Sequence, residues 1–107
     1  MPRQVTLASL QVLHAVAQGT AYGFDVIDET GLPGGTVYPA LSRLERDGLL
    51  VSSWEDRDAA HAEGRPPRRY YRATAAGVRA LNGALERLRG LRPVDPARRP
   101  RPARHHR

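Results

Sequence analysis

Arginine side chains concentrated in one segment are the most informative chemical feature of this 107-residue sequence. Residues 65–92 contain eight arginines and one acidic residue, a net charge of +7, whereas residues 1–64 contain four arginines and nine acidic residues, a net charge of −5. Guanidinium groups pair with phosphate oxygens. The asymmetry therefore indicates an anionic polymer as partner, either nucleic acid or an anionic membrane surface. The side chains expected to make these contacts are Arg65, Arg68, Arg69, Tyr70 and Arg72.

Catalytic chemistry has little support in the sequence. The chain has no cysteine, which excludes disulfides, thiolate metal sites and a cysteine nucleophile. No Ser-His-Asp order or phosphate-binding Gly-Lys loop is present. His14 and His61 are far apart in sequence, and His105 and His106 have no supporting ligands nearby. We therefore expect no enzyme activity, no cofactor and no metal site.

Four helices and two strands are predicted to position the basic residues. Apolar residues at helical spacing predict helices over residues 5–18 and 21–30, with Thr20 as the N-cap of the second and Phe24 on its inner face. A glycine-rich turn over residues 31–35 separates the second helix from a third, which Thr36 can cap.

Alternating and β-branched residues predict strands over residues 49–55 and 68–73, joined by a polar loop over 56–67. Of the adjacent Tyr70 and Tyr71, one must face the core, and the pattern does not decide which. Thr74 can cap a last helix that ends near residue 92.

This order predicts a fold that is mainly α with a small β-hairpin, a winged helix-turn-helix followed by a dimerisation helix. We divide the chain into a DNA-binding domain over residues 1–74, a dimerisation helix over 75–92 and a disordered basic Pro/Arg tail over 93–107. The third helix would enter the major groove of double-stranded DNA, and the hairpin would be the wing.

The outer face of the third helix contains the candidates for reading DNA. Arg43 can bind a guanine edge with two hydrogen bonds, but it can equally pair with Asp47 four residues later. Tyr38 either packs under the wing or contacts DNA, and Thr36 either only caps the helix or also meets a phosphate. The predicted DNA-binding residues of this helix are Thr36, Tyr38, Pro39, Ser42 and Arg43.

The last predicted helix has an apolar stripe formed by Val78, Leu81, Leu85 and Leu88. The stripe is either ordinary core or the contact with a second copy of the chain. A domain of this size has few places to bury a stripe four turns long, which favours a homodimer interface.

Three segments together resemble the PadR family of winged-helix transcriptional regulators. They are YGFDVI at residues 22–27, GTVYPALSRLERDGL at 35–49, and a wing segment with GRP at 64–66, RRYYR at 68–72, Thr74 and Gly77. The likeness spans residues 5–90 and includes a single dimerisation helix, as in the short branch of the family.

The resemblance implies a homodimer that binds a pseudo-palindromic operator and usually represses. It also implies dimerisation through the last helix and the first, which would involve Leu10 and Leu13. Many family members release DNA when a small aromatic or drug-like effector binds, while others have no known effector. The last helix has no aromatic residue, so a drug-stacking pore of the kind found in some short members is not expected.

The sequence therefore predicts a dimeric repressor that binds operator DNA. The alternative is a winged-helix module that contacts a partner protein through its acidic first half and has only non-specific affinity for nucleic acid. The N-terminal residues are too polar for a signal peptide or a membrane span, so we expect a cytoplasmic protein with no membrane partner.

Overall fold

The computed structural model describes residues 5–98 and confirms the predicted fold class, mainly helical with one antiparallel hairpin. Within the described residues, no helix is both long enough and apolar enough to cross a membrane. The elements in chain order are α1 (Leu7–Ala17), α2 (Gly23–Thr30), α3 (Gly34–Arg46), β1 (Leu50–Trp54), α4 (Arg57–Ala62), β2 (Arg69–Ala73) and α5 (Ala75–Leu88).

The core lies where α1, α3 and α5 meet. Leu13 of α1 and Leu41 of α3 are fully buried, and Leu50 brings the start of β1 into the same cluster. Leu81 and Ala84 extend this core into α5, so the last helix packs as part of the same unit. The apolar stripe predicted for the third helix is confirmed, since its four members are all buried: Val37, Ala40, Leu41 and Leu44.

Two predicted helix starts are wrong. Helix α2 begins at Gly23 with Tyr22 as its N-cap, because the chain before it pairs with the hairpin instead of entering the helix. Helix α3 begins at Gly34, so Thr36 lies inside the first turn and is not the cap. Pro33 provides the extended cap residue, and its carbonyl accepts the amides of Thr36 and Val37 at 2.9 and 3.0 Å.

The predicted cap of the last helix is confirmed. The Thr74 hydroxyl accepts a hydrogen bond from the Gly77 amide at 3.0 Å, and it donates to the carbonyl of Gly48 at 2.7 Å. The first of these bonds satisfies one of the amides left without a partner at a helix start. The second ties the start of α5 to the end of α3.

The hairpin pairs β1 with β2 in antiparallel register, with Leu50 opposite Ala73 and Trp54 opposite Arg69. Tyr22 forms an isolated bridge to Tyr70 on the other edge of β2. The segment before α2 therefore holds the hairpin against the helices. We use the name wing for residues 50–73.

The loop predicted over residues 56–67 contains a helix of six residues, α4, so the prediction of an irregular loop is wrong there. Asp56 caps this helix by accepting the Asp58 amide, and Ala60 is fully buried. A single apolar contact in a polar segment leaves no periodic pattern, so the helix could not be recognised from hydrophobic spacing.

Helix α5 ends at Leu88, before the predicted residue 92. From there to Arg98 the backbone is exposed and irregular, with a turn in which the Arg98 amide donates to the Asp95 carbonyl. The prediction of a disordered tail over 93–107 falls mostly on residues 99–107, which lie outside the described residues.

Candidate nucleic-acid interface

The outer face of α3 is open to solvent along its length. Tyr38, Pro39, Ser42 and Arg43 are all exposed, as an amphipathic helix with its opposite stripe in the core requires. Arg43 makes no ion pair within residues 5–98, and Asp47 is instead 3.8 Å from Arg46. The alternative in which Arg43 pairs with Asp47 is therefore not the observed arrangement, and the guanidinium of Arg43 is available.

Tyr38 has its ring placed by two glycines. A Cβ atom on Gly23 would lie 2.7 Å from a carbon of the Tyr38 ring, and one on Gly34 would lie 3.6 Å from it. The ring therefore rests on the start of α2 while about half of the residue stays exposed. Thr36, two residues earlier, is partly buried.

Arg65 is held inside the wing. Its guanidinium makes a two-bond contact with the Glu55 carboxylate, with N–O distances of 2.5 and 2.8 Å, and a third contact with Glu63. Hydrogen bonding from Arg65 lowers the pKa of Glu55 to about 2, and the same bond raises the pKa of Arg65. Arg65 thus closes the wing on itself, and its charge is already balanced by two carboxylates.

The other three predicted arginines are exposed on the wing. Arg69 donates to Ser52 at 2.9 Å within the wing. It also pairs with Glu45 at 3.3 Å, and this ion pair joins the wing to α3. The Arg68 guanidinium lies 5.1 Å from the centroid of the Tyr22 ring, a cation–π contact. In the described part of the chain, neither Arg68 nor Arg72 has an ion-pair partner.

The two adjacent tyrosines of β2 take opposite sides, and the structure shows which is which. Tyr71 packs against the core, and burial raises its pKa. Tyr70 points the other way and stacks on Tyr22 with ring centroids 4.7 Å apart. A hydrogen bond with Tyr22 raises the pKa of Tyr70 to about 12.

Two exposed aromatic residues in this region were not predicted as site residues. Phe24 was placed on the inner face of its helix but is 69% exposed, because Val26 is the residue of α2 that enters the core. Trp54 is 66% exposed at the end of β1, with the Arg69 guanidinium 5.5 Å from its ring. Helical spacing does not reveal the exposure of Phe24, because it depends on which side of the short helix α2 meets its neighbours.

Phe24 belongs to a cleft of about 490 Å³ between α2, α3 and the wing. We call it the aromatic cleft and define it by Tyr22, Phe24, Asp25, Tyr38, Arg68 and Arg69, with Gly23 and Tyr71 completing the lining. The cleft lies between the exposed first turns of α3 and two arginines of the wing, Arg68 and Arg69.

The comparison with known proteins agrees with this arrangement. Residues 12–83 match the Transcriptional regulator PadR-like family. This protein is a member of that family. The protein is therefore a winged-helix DNA-binding regulator and not an enzyme, with α3 and the wing as its winged-helix elements.

A curated relative and two solved structures are similar to this PadR-like chain. Transcriptional regulator Rv3488 of Mycobacterium tuberculosis is 42% identical over 87 residues, which cover 74% of this chain and 76% of the relative. A PadR family regulator from Clostridium difficile superposes with a TM-score of 0.69 at 21% identity, over 78% of this chain and 88% of that one. A PadR family regulator from Eggerthella lenta gives 0.58 at 30% identity, over 73% and 70%.

The apolar stripe of α5 divides between core and surface in this PadR-like protein. Leu81 is buried against the chain's own core, whereas Val78, Leu85 and Leu88 are each 40% to 43% exposed. The prediction that all four form a dimer surface is therefore corrected for Leu81. The three exposed residues, spaced by seven and three positions, lie on one helix face.

The first helix does not offer the predicted dimer residues. Leu10 and Leu13 are both buried in the core of the single chain, so neither presents a surface to a second copy. Their assignment to a dimer interface is corrected for a physical reason. Helix α1 lies between α3 and α5 and is covered along the face that contains these leucines.

Proposed function

We propose that this PadR-like regulator is a homodimeric repressor that binds a pseudo-palindromic operator. The observation that carries the proposal is the contrast between two surfaces. The outer face of α3 exposes Ser42 and Arg43, and the last part of the wing exposes three arginines, whereas α5 exposes three large apolar side chains on one face. The first surface suits double-stranded DNA, and the second suits another copy of the chain.

Base reading is assigned to α3. Arg43 and Ser42 are exposed on successive positions of its outer face. The Arg43 guanidinium, which has no ion pair within residues 5–98, would bind the O6 and N7 atoms of guanine. Tyr38 and Pro39 lie one turn earlier and would meet the edge of the groove. Thr36, in the first turn, is placed to contact a phosphate with its hydroxyl or amide.

The wing arginines are assigned different roles according to their partners. Arg68 and Arg72 have no carboxylate partner in the described part of the chain and would contact phosphates directly. Arg69 shares its charge with Glu45 and would orient the wing against α3. Tyr70, whose hydroxyl is hydrogen-bonded with Tyr22, would support the Tyr22 ring beside the DNA. Arg65, which the sequence also favoured as a phosphate contact, instead holds the wing in shape.

The dimer is assigned to the exposed stripe of α5. Because each of these three side chains is already more than half buried, its full burial would contribute on the order of 0.6–1.2 kcal/mol more. Isologous packing of two such helices makes a two-fold dimer, and half-sites one helical turn apart, about 34 Å, then match the two recognition helices. Repression follows where such an operator overlaps a promoter.

Fluorescence anisotropy with labelled DNA tests this proposal. DNA from upstream of the protein's own coding sequence is titrated at moderate salt and compared with scrambled DNA of the same composition. We expect tight binding of the native fragment alone, with two chains per site. Equal, strongly salt-dependent binding of both fragments would contradict the proposal and favour a protein-interaction module with non-specific affinity.

Two arginine variants separate reading from positioning. Arg43→Ala should cost about 1–3 kcal/mol on the native operator and relax the preference at one base pair. Arg68→Ala should weaken native and scrambled DNA alike and reduce the salt dependence by about one phosphate per chain. An Arg43→Ala protein with an unchanged operator preference would rule out direct reading by this residue.

A further inference from the structure

The distribution of aromatic residues in this protein is uneven. The chain has six aromatic residues, and four of them line the aromatic cleft: Tyr22, Phe24, Tyr38 and Tyr71. The other two touch its walls, since Tyr70 stacks on Tyr22 and Trp54 lies against Arg69. Apart from Tyr71, these rings do not pack into the core, which is built from aliphatic residues.

Phe24 is the least expected of these rings. It is 69% exposed in the middle of a charged surface, and Gly23 and Val26 supply the buried contacts of α2. An apolar ring in this position contributes little to stability. Phe24 and the half-exposed Tyr38 both line the cleft, so each offers a ring on which a planar group can stack.

The charges of the cleft are also specific. Arg68 has no ion-pair partner among the described residues, whereas Arg69 is neutralised by Glu45. One carboxylate, that of Asp25, lies at the cleft exposed and without a hydrogen-bond partner within residues 5–98. As far as residues 5–98 show, the cleft therefore combines stacking rings with the unpaired guanidinium of Arg68 and the unpaired carboxylate of Asp25.

We propose that the aromatic cleft binds a ribonucleotide. The base stacks on Phe24 and Tyr38, the phosphate pairs with Arg68, and a ribose hydroxyl donates to Asp25. The volume of about 490 Å³ is within the ordinary range for small-molecule sites, about 300–1,000 Å³. A simple aromatic carboxylate would stack on the rings and pair with Arg68. It has no hydroxyl to donate to the Asp25 carboxylate, which would then face a second anion.

The site overlaps the DNA interface, and this overlap would make the nucleotide a regulator. Tyr38 and Arg68 belong to both surfaces, so a bound nucleotide and operator DNA exclude one another without a conformational change. This competition rests on the proposed function, whereas binding of the nucleotide to the free chain does not. The two claims are therefore tested separately.

The first experiment measures adenosine 5′-monophosphate binding to the full chain without DNA. Trp54, the only tryptophan, adjoins the cleft through Arg69, so its fluorescence reports occupancy. We expect saturable binding that Arg68→Ala weakens about tenfold or more, because a hydrogen bond to a charged group is lost. Arg79→Ala on α5, which removes the same charge outside the cleft, should leave binding unchanged.

Two further comparisons identify the ligand class. Phe24→Ala should weaken binding while Phe24→Tyr, which keeps the ring, should retain it. Adenosine should bind at least tenfold more weakly than the monophosphate, and benzoate should not match it. No saturable response at millimolar nucleotide, equal loss in Arg68→Ala and Arg79→Ala, or tighter binding of benzoate would each overturn the assignment.

The second experiment adds the nucleotide to the protein–operator complex and follows anisotropy. We expect the apparent affinity for DNA to fall in proportion to nucleotide concentration, with the midpoint set by the affinity measured without DNA. Nucleotide binding with unchanged DNA affinity would overturn the competition. If the protein binds the nucleotide but no DNA at all, the proposed function fails while the cleft assignment stands.

Discussion

Replacing Gly77 by alanine tests how α5 is joined to the rest of the fold. Gly77 lies in the first turn of α5 directly against the backbone of Leu49. A Cβ atom there would be 3.0 Å from the Leu49 carbonyl carbon and closer still to its oxygen, too close for any side chain. The same oxygen accepts the Thr74 amide at 3.0 Å, so it cannot move away without disturbing the helix start.

The expected cost follows from these contacts. Overpacking against a backbone atom costs about 1–3 kcal/mol, and weakening the bond to Thr74 adds about 1 kcal/mol. The better helix propensity of alanine offsets about 1 kcal/mol of this. We expect Gly77→Ala to lower the free energy of unfolding by about 2 kcal/mol, which corresponds to a decrease of about 10 °C in Tm.

Gly83 provides the matched control, since it lies two turns later in the same helix. Its added Cβ would meet only the end of the Arg87 side chain, at 3.8 Å. Gly83→Ala should therefore raise stability by about 0.5–1 kcal/mol. Both variants are measured by circular dichroism on heating at one fixed chain concentration, because the proposed dimerisation would make Tm depend on concentration. Equal Tm shifts of the same sign would refute the assigned contact at Gly77.

Three further outcomes follow from the structure. The pKa of Glu55 in the folded protein is about 2, below its ordinary value of 4.5. The contribution of its carboxylate to wing stability is therefore complete above pH 4.5 and is lost as the pH falls toward 2. Hydrogen exchange of wing amides should show this loss in the wild type but not in Glu55→Gln. Gly23→Ala should displace the Tyr38 ring and reduce operator affinity about tenfold. The free energy of unfolding should change by less than about 1 kcal/mol. Unchanged operator affinity would mean that Tyr38 is not part of the interface. Leu85→Glu should convert the proposed dimer to folded monomers in sedimentation equilibrium, and a dimer that persists would place the interface elsewhere.

The surface of α3 is the part of the candidate site that sequence patterns predicted best. Helical spacing placed Val37 and Leu41 inward, and the opposite positions, Ser42 and Arg43, were then exposed by geometry alone. The same reasoning failed for Phe24 because α2 has only eight residues and two buried positions, too few to define a stripe.

Local chemistry alone determined the order of the elements other than α4, the cap at Thr74 and the amphipathic pattern of α3. Each of these depends on residues three or four positions apart. Only the tertiary structure decided which arginines are free and which stripe leucines are exposed. Arg65 is neutralised by a carboxylate ten residues away and Arg69 by one 24 residues away. Leu81 and Leu85 look alike in the pattern, but only Leu81 meets the core, because α1 covers one side of the stripe.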